Sequence, residues 1–227
     1  VNGDHRPVPV PEWLGALAEA AARAPVPRVL RPPSDGGRHS AVLVLFGESP
    51  EGGPDVLLIQ RNNGLRRHSG QPAFPGGSIE PGDAGAIGCA LREAGEETGL
   101  LPAGVEVLCA LPELYISRTD FRVTPVLAWW HTPSEVGPAD PAEVASVARV
   151  PVAELADPAN RVRTRHPDGS TGPAFRVRGM LVWGFTAAIL NQLLVLGRWE
   201  RPWLGPAAET IDVLGVLRAS GDHDGTP

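Results

Sequence analysis

Lysine is absent from this sequence of 227 residues, and all 20 basic side chains are arginine. Any clamp for a phosphate group must therefore be built from guanidinium forks, whose planar donors match paired oxygens. Cysteine is scarce: two residues, Cys89 and Cys109, do not make a disulfide framework in a chain of this length. Both fall in apolar segments and read as small core residues. Aromatic residues make up only 5%, although six of them are Trp. An excess of positive charge is also missing. The formal net charge of -6 gives no electrostatic reason to expect a nucleic acid or a membrane surface as partner. No apolar run approaches the length of a bilayer span, and Val1 to Pro11 lacks the apolar stretch of a secretory leader. The default expectation is a cytoplasmic globular protein, with 42% hydrophobic and 20% charged residues. The length suits one domain with a substantial core and is short for two.

Periodicity divides the chain into an N-terminal helix and linker arm over 1–39, a main domain over 40–205 and a C-terminal tail over 206–227. Trp13, Leu14, Leu17 and Ala21 recur at helical spacing after Pro11, which predicts an amphipathic helix over Pro11 to Ala24. The run Ala41 to Phe46 and the run Val56 to Gln60 read as strands of a hairpin with a long turn. Residues 62–83 carry so many Gly and Pro that only one brief strand is expected there, around Ala73 and Phe74. Ala84 to Thr98 reads as a helix, with Gly99 as its C-cap. Strands follow at Val105 to Leu111 and Phe121 to Trp130, then a short helix or turn at Pro141 to Ala148 and an element at Val150 to Leu155. Arg161 to Arg165 and Ala174 to Arg178 pair around a turn at Pro167, Asp168 and Gly169. Trp183 to Leu196 forms a last apolar helix, and Ala219 to Pro227 reads as a disordered tail. Strands and helices in this alternation argue for a mixed α/β layer structure.

The informative segment is FPGGSIEPGDAGAIGCALREAGEETGL, Phe74 to Leu100. Glu93, Glu96 and Glu97 are spaced i, i+3 and i+4 and share about one-third of the helix circumference. Ile87, Leu91, Ala94 and Thr98 gather on the other side, where they face a core. Clustered carboxylates repel and slightly weaken a helix. A divalent cation reverses that sign, and an all-oxygen donor set of this kind suits Mg²⁺ or Mn²⁺ shared with substrate phosphates. Gly76 and Gly77, lacking a Cβ, let the backbone approach the same cluster. A Glu-rich helix face taken alone is ordinarily a solvated surface. Here it follows a Gly-Gly turn and a Pro-Gly-Asp segment, with Arg92 before Glu93 and Gly99 after Thr98, a much rarer constellation.

That constellation resembles the Nudix box: Gly, five residues, Glu, seven residues, Arg-Glu, an apolar residue, any residue, Glu-Glu, any residue, Gly, an apolar residue. Arg92, Glu93, Ala94, Glu96, Glu97, Gly99 and Leu100 complete its C-terminal half. The N-terminal half departs from it, with Asp83 where the pattern has Glu and one extra residue between Gly77 and Arg92. The resemblance implies an α/β Nudix fold, an α/β/α sandwich around a mixed β-sheet, and hydrolysis of a nucleoside diphosphate linked to another group. It implies Glu93, Glu96 and Glu97 as metal ligands with the Gly76 backbone, and Arg92 as the residue that holds the helix carboxylates. Either Glu93 or another acid activates the attacking water, since family members differ in this. Glu143 is a candidate for that acid or for a further ligand. It reads equally as a helix N-terminal Glu favoured by the dipole. Glu113 is a weaker candidate for the same role.

Directly upstream, LLIQRNNGLRRHSGQPAFPGG, Leu57 to Gly77, is similar to the extra motif of the coenzyme A diphosphatase subfamily. Leu57, Leu58, Arg61, Arg66, Gly70, Phe74, Pro75, Gly76 and Gly77 fit with spacing preserved, while Ile59 and Asn62 depart. The resemblance spans roughly residues 40–195. It implies Arg61, Arg66 and Gly77 as substrate-binding residues. The arginines would neutralise phosphates through charge-assisted hydrogen bonds. Arg67, outside the motif, reads as a partner of surface acids, His68 as a loop residue without a catalytic part, and Trp183 and Phe185 as core. The implied partner is a CoA-like small molecule, and a homodimer is compatible with the family. Two other readings stay open: a Nudix hydrolase of ADP-ribose, a dinucleoside polyphosphate or a damaged nucleotide, and a Nudix-like binding module without catalysis.

Overall fold

In chain order, the computed structural model, which describes residues 8–62, 70–203 and 209–219, places α1 at Glu12–Arg23, β1 at Arg38–Glu48 and β2 at Pro54–Arg61. Next come β3 (Pro72–Ala73), β4 (Gly76–Ser78), α2 (Gly85–Thr98), β5 (Val105–Ala110), β6 (Leu114–Ile116) and β7 (Phe121–Trp130). Then follow β8 (Val144–Pro151), α3 (Val152–Ala156), β9 (Arg161–Arg165), β10 (Thr171–Val177), β11 (Met180–Val182), α4 (Gly184–Leu196), β12 (Thr210–Asp212) and α5 (Val213–Ala219).

β1 is the spine. It pairs in parallel with β7 along most of its length, from Arg38 opposite Phe121 to Phe46 opposite Trp129. β5 and β6 extend the sheet beyond β7, and β2 carries β8 on its outer edge. The inner strands are apolar on both faces because both are covered, as expected of strands buried between layers. Leu43 and Leu45 of β1 meet Cys89, Ala90 and Ala94 of α2. The alternate residues Val44 and Phe46 meet α1, α3 and α4 through Leu14, Leu17, Leu155, Leu190 and Leu193. This is the α/β/α sandwich around a mixed sheet.

Three features of the first sheet and the helix against it depart from the sequence reading. Pro141 to Ala148 is neither helix nor turn throughout: β8 begins at Val144 and pairs antiparallel with β2, and the chain turns helical only at Val152. The β-branched Val144, Val147 and Val150 gain a long pairing partner in β2, which outweighs weak local helix preference. The brief strand expected at Ala73 and Phe74 is two, β3 and β4, separated by Phe74 and Pro75. On α2, Ile87 in the first turn is exposed, while Glu97 is buried beside Ala94 and Thr98.

A second sheet, ordered β11-β10-β9-β12, packs on the same core. Its hairpin β9–β10 turns where expected, with Gly169 at φ +81°. Phe175, Val177 and Val182 join the cluster that holds Leu14 and Leu193. Within the segment assigned to a C-terminal tail, Thr210–Asp212 runs parallel to β9 and leads into α5. Residues 220–227, and with them most of the expected disordered tail, lie outside the described residues. At the other end, α1 seats Trp13 edge-on against Phe46, Trp129 and Trp199 at centroid distances of 5.7, 6.2 and 5.3 Å.

Candidate active site

The outer edge of β1 is shared between two partners. Its first half pairs with β4, Ser40 to Ser78, Ala41 to Gly77 and Val42 to Gly76. Its second half pairs with β2, starting at Phe46 opposite Val56. Between these partners the chain must cross the strand closely. A Cβ on Gly76 would stand 2.3 Å from the Ala41 carbonyl oxygen and 2.7 Å from the Val42 Cα. A Cβ on Gly77 would stand 2.3 Å from a carboxylate oxygen of Glu93. The two glycines of the Phe-Pro-Gly-Gly segment thus have separate tasks: one fits the backbone against β1, the other leaves room for the Glu93 side chain. Cys89, buried on α2, ties this turn to the helix by donating its thiol to the carbonyls of Gly77 and Ser78 at 3.5 and 3.4 Å. Burial pushes that thiol up to about 11, helped by the negative Asp83 and Glu93. It is an uncharged core group, as the sequence suggested.

Six carboxylates line the cleft: Glu93, Glu96 and Glu97 from α2, Glu143 and Asp140 from the turn before β8, and Glu80 from the segment before α2. Their environments differ. Glu97 is 3% exposed, and its Oε2 accepts the backbone N–H of Gly76 at 2.9 Å. Arg61 approaches its other oxygen at 3.5 Å. Burial nevertheless wins over both, and the carboxyl is pushed up to about 7, with Glu93 and Glu143 adding like-charge repulsion. Burial also raises Glu93, against the opposing pull of Arg92. Glu96 is largely exposed.

Arg92 organises this group. One edge of its guanidinium grips Asp83 through both carboxylate oxygens at 2.8 and 3.0 Å. Its Nη1 donates to Glu93 and to Glu96, each at 3.0 Å, and Nη2 reaches the Ser78 carbonyl at 3.2 Å. The Arg92 guanidinium holds the Asp83 carboxyl down at about 2. Asp83 also accepts the backbone N–H of Glu80 at 2.8 Å. Asp83, whose place in the motif is irregular, is thus a structural brace for the arginine.

The cleft has a volume of about 900 Å³, the upper range for a site that takes a small molecule. Arg61, Gly76, Gly77 and the predicted Glu93, Glu96, Glu97 and Glu143 all line it. Arg66, Arg67 and His68 lie outside the described residues. Glu143 is not in a helix, which removes the dipole reading: its N–H closes a turn onto the Asp140 carbonyl and its own carbonyl accepts from Asn62. Glu113 is elsewhere, paired with His39 at 3.0 Å and Arg122 at 2.8 Å. Trp183 and Phe185, expected in the core, are only partly buried and line the cleft. So do His166 and Leu217, which the sequence did not single out. Neither carries a local motif, and only the folding of the second sheet against the first brings them in.

The model of the NUDIX domain matches residues 37–168, more than half of the chain. This chain belongs to the Nudix family. The Nudix box runs through the cleft as described, from Gly77 to Leu100. The chain is 39% identical over 177 residues to a protein of Citrobacter koseri described as an uncharacterized Nudix hydrolase NudL, covering 73% of this chain and 88% of that one. The NudL of Escherichia coli K12 is 39% identical over 163 residues, covering 69% and 81%. In structure the chain is similar to a Nudix hydrolase from M. smegmatis, RenU, with a TM-score of 0.51 and 22% identity over 75% of this chain and 91% of that one, a likeness of fold. It is a Nudix hydrolase, acting on diphosphate bonds. No helix among the described residues is long and apolar enough to cross a membrane.

Nudix hydrolases work with divalent metal ions, and the donor set of this cleft fits one. It offers carboxylate oxygens, the preferred ligands of hard cations. Its deepest carboxylate, Glu97, is pushed up to about 7 by burial and by like charges, and a dication beside it would favour the charged form. Among the described residues no three acidic, His or Cys side chains form a preassembled metal cage; Arg92 instead draws Glu93 and Glu96 onto its own nitrogen.

Proposed function

We propose that this Nudix hydrolase cuts the diphosphate bridge of coenzyme A or one of its derivatives, with Mg²⁺ or Mn²⁺, giving 4′-phosphopantetheine and adenosine 3′,5′-bisphosphate. One observation carries the reading: Arg61, the first arginine of the coenzyme A-type signature, ends within 3.5 Å of Glu97, inside the cleft lined by the Nudix carboxylates. The same signature contributes Phe74, Gly76 and Gly77 to that cleft.

Glu93, Glu96 and Glu97, with the Gly76 backbone, would hold the metal. When bound, it supplies charge neutralisation at the diphosphate oxygens and a lowered pKa for a coordinated water. Arg61 and, from the adjoining segment, Arg66 bind the phosphates. Gly77 keeps the approach to Glu93 open. Glu143 orients the attacking water and takes its proton on the carboxylate; among the described residues it pairs with no arginine, unlike the three acids on α2. The oxygen of water forms a new bond to one phosphorus, the bridging oxygen leaves with the other phosphate, and the proton passes to the acid.

The test is incubation of the purified chain with coenzyme A and Mn²⁺, alongside ADP-ribose and diadenosine tetraphosphate, with products identified by mass. Release of 4′-phosphopantetheine and adenosine 3′,5′-bisphosphate, faster than cleavage of the other two, is expected. Preference for either competitor would replace the substrate, and release from none would leave a binding module.

A further inference from the structure

The cleft extends past the Nudix machinery. Trp183 and Phe185, at the junction of β11 and α4, and Leu217 of α5 all line it. All three follow residue 168, where the match to the family domain ends. The part of the wall they build is thus supplied by the second sheet and the C-terminal strand and helix. Such a wall is free to decide what the common chemistry is applied to.

Several contacts fix this wall in relation to the carboxylates. Thr186, in the first turn of α4, donates to the Pro72 carbonyl at 3.3 Å, so α4 is tied to the strand that precedes the Gly-Gly turn. β12 pairs with β9 through Thr210 to Arg163, Ile211 to Thr164 and Asp212 to Arg165, and Asp212 accepts the Leu214 N–H at 3.1 Å as α5 starts. Leu217 is thereby only 6% exposed although it sits near the chain end. The ring of His166, from the β9–β10 turn, lies 6.4 Å from that of Trp183.

The chemistry of this wall contrasts with that of the Glu and Arg groups around the Gly-Gly turn. Trp183, Phe185 and Leu217 offer apolar surface and no charge. Of the two halves of a coenzyme A-like substrate, the adenosine 3′,5′-bisphosphate half is heavily charged, whereas the pantetheine arm is linear, neutral and rich in methyl and methylene groups. We propose that Trp183, Phe185 and Leu217 form the subsite for that neutral arm, so that the β12–α5 segment is a specificity element of this enzyme. The inference rests on the coenzyme A reading above.

Binding measured by calorimetry in the presence of chelator, where no turnover occurs, separates the two. The probes are coenzyme A, 4′-phosphopantetheine and adenosine 3′,5′-bisphosphate, titrated into the full chain and into Trp183→Leu and Leu217→Ala. Each substitution is expected to weaken coenzyme A and 4′-phosphopantetheine by ~10-fold, the scale of losing a few apolar groups from a pocket, while adenosine 3′,5′-bisphosphate is little changed. If Leu217→Ala melts early, the partly exposed Trp183 decides the matter alone. Unchanged coenzyme A affinity in the variants, or an equal loss for the adenosine product, overturns the subsite and leaves the coenzyme A reading standing. An unmodified chain that neither binds nor cuts coenzyme A overturns both.

Discussion

Arg61 and Glu97 meet at 3.5 Å, one from the end of β2 and the other from the last turn of α2, and neither is freely solvated. The pair joins residues of the two adjoining signatures that stand 36 positions apart in the sequence. It is an incomplete neutralisation, because burial still outweighs the arginine and holds the Glu97 carboxyl far above the usual carboxylate range. Arg61 thus offsets only part of what burial costs the Glu97 carboxylate.

Replacing Glu97 by Gln should lower turnover of the preferred diphosphate substrate by roughly two to four orders of magnitude. The fold should persist, since Gln keeps an oxygen to accept from Gly76. Steady-state rates with Mn²⁺, read beside circular dichroism, check this. Turnover within a few-fold of the parent would remove Glu97 from the machinery.

The raised Glu97 carboxyl makes stability depend on pH. For an acid shifted upward, the folded state holds its proton longer than the unfolded state. Stability is therefore fully present below the ordinary value of 4.5, falls as pH rises, and levels off above about 7. The total loss is about 3 kcal/mol by linkage. Urea midpoints of the metal-free protein across that window should fall, and Glu97→Gln should flatten the fall. A parallel decline in both proteins would trace it to other groups.

The two adjacent glycines should respond differently to Ala. Gly76→Ala drives a methyl into the backbone of Ala41 and Val42, and should cost roughly 1–3 kcal/mol of stability. Gly77→Ala meets the end of a movable side chain, Glu93. It should melt close to the parent yet lose most of its activity. Melting temperatures and rates measured together would show whether the two effects separate in this way.

Asp83→Asn would loosen Arg92, whose remaining partners are Glu93, Glu96, the Ser78 carbonyl and the Cys89 sulfur. Outer partners of this kind are typically worth 10–100-fold in metal affinity or activity. The Mn²⁺ concentration for half-maximal rate should shift by about that factor, and Asp83→Glu should recover part of it. A variant with unaltered metal dependence would reduce Asp83 to a turn residue.

Glu143→Gln tests the water-orienting role. Turnover should drop ~10²–10⁴-fold, while Mn²⁺ affinity, read by calorimetry with a non-hydrolysable diphosphate, stays near that of the parent. A variant that loses metal affinity instead would make Glu143 a ligand.

The local pattern alone specified the chemistry-bearing helix. The i, i+3, i+4 spacing of Glu93, Glu96 and Glu97 and the capping Gly99 depend only on helix geometry, and the Gly76–Gly77 turn only on the absence of Cβ atoms. The strands Ala41 to Phe46 and Phe121 to Trp130 were legible for the same reason, since strands covered on both faces are written as unbroken apolar runs. Tertiary structure decided the rest. That Glu97 is buried and Glu96 exposed follows from which side of α2 meets β1. That Val144 to Ala148 extend into a strand follows from the edge that β2 offers them. Trp183 and Leu217 reach the cleft because a second sheet folds onto the first, joining residues distant in sequence whose spacing along the chain carries no record of their meeting.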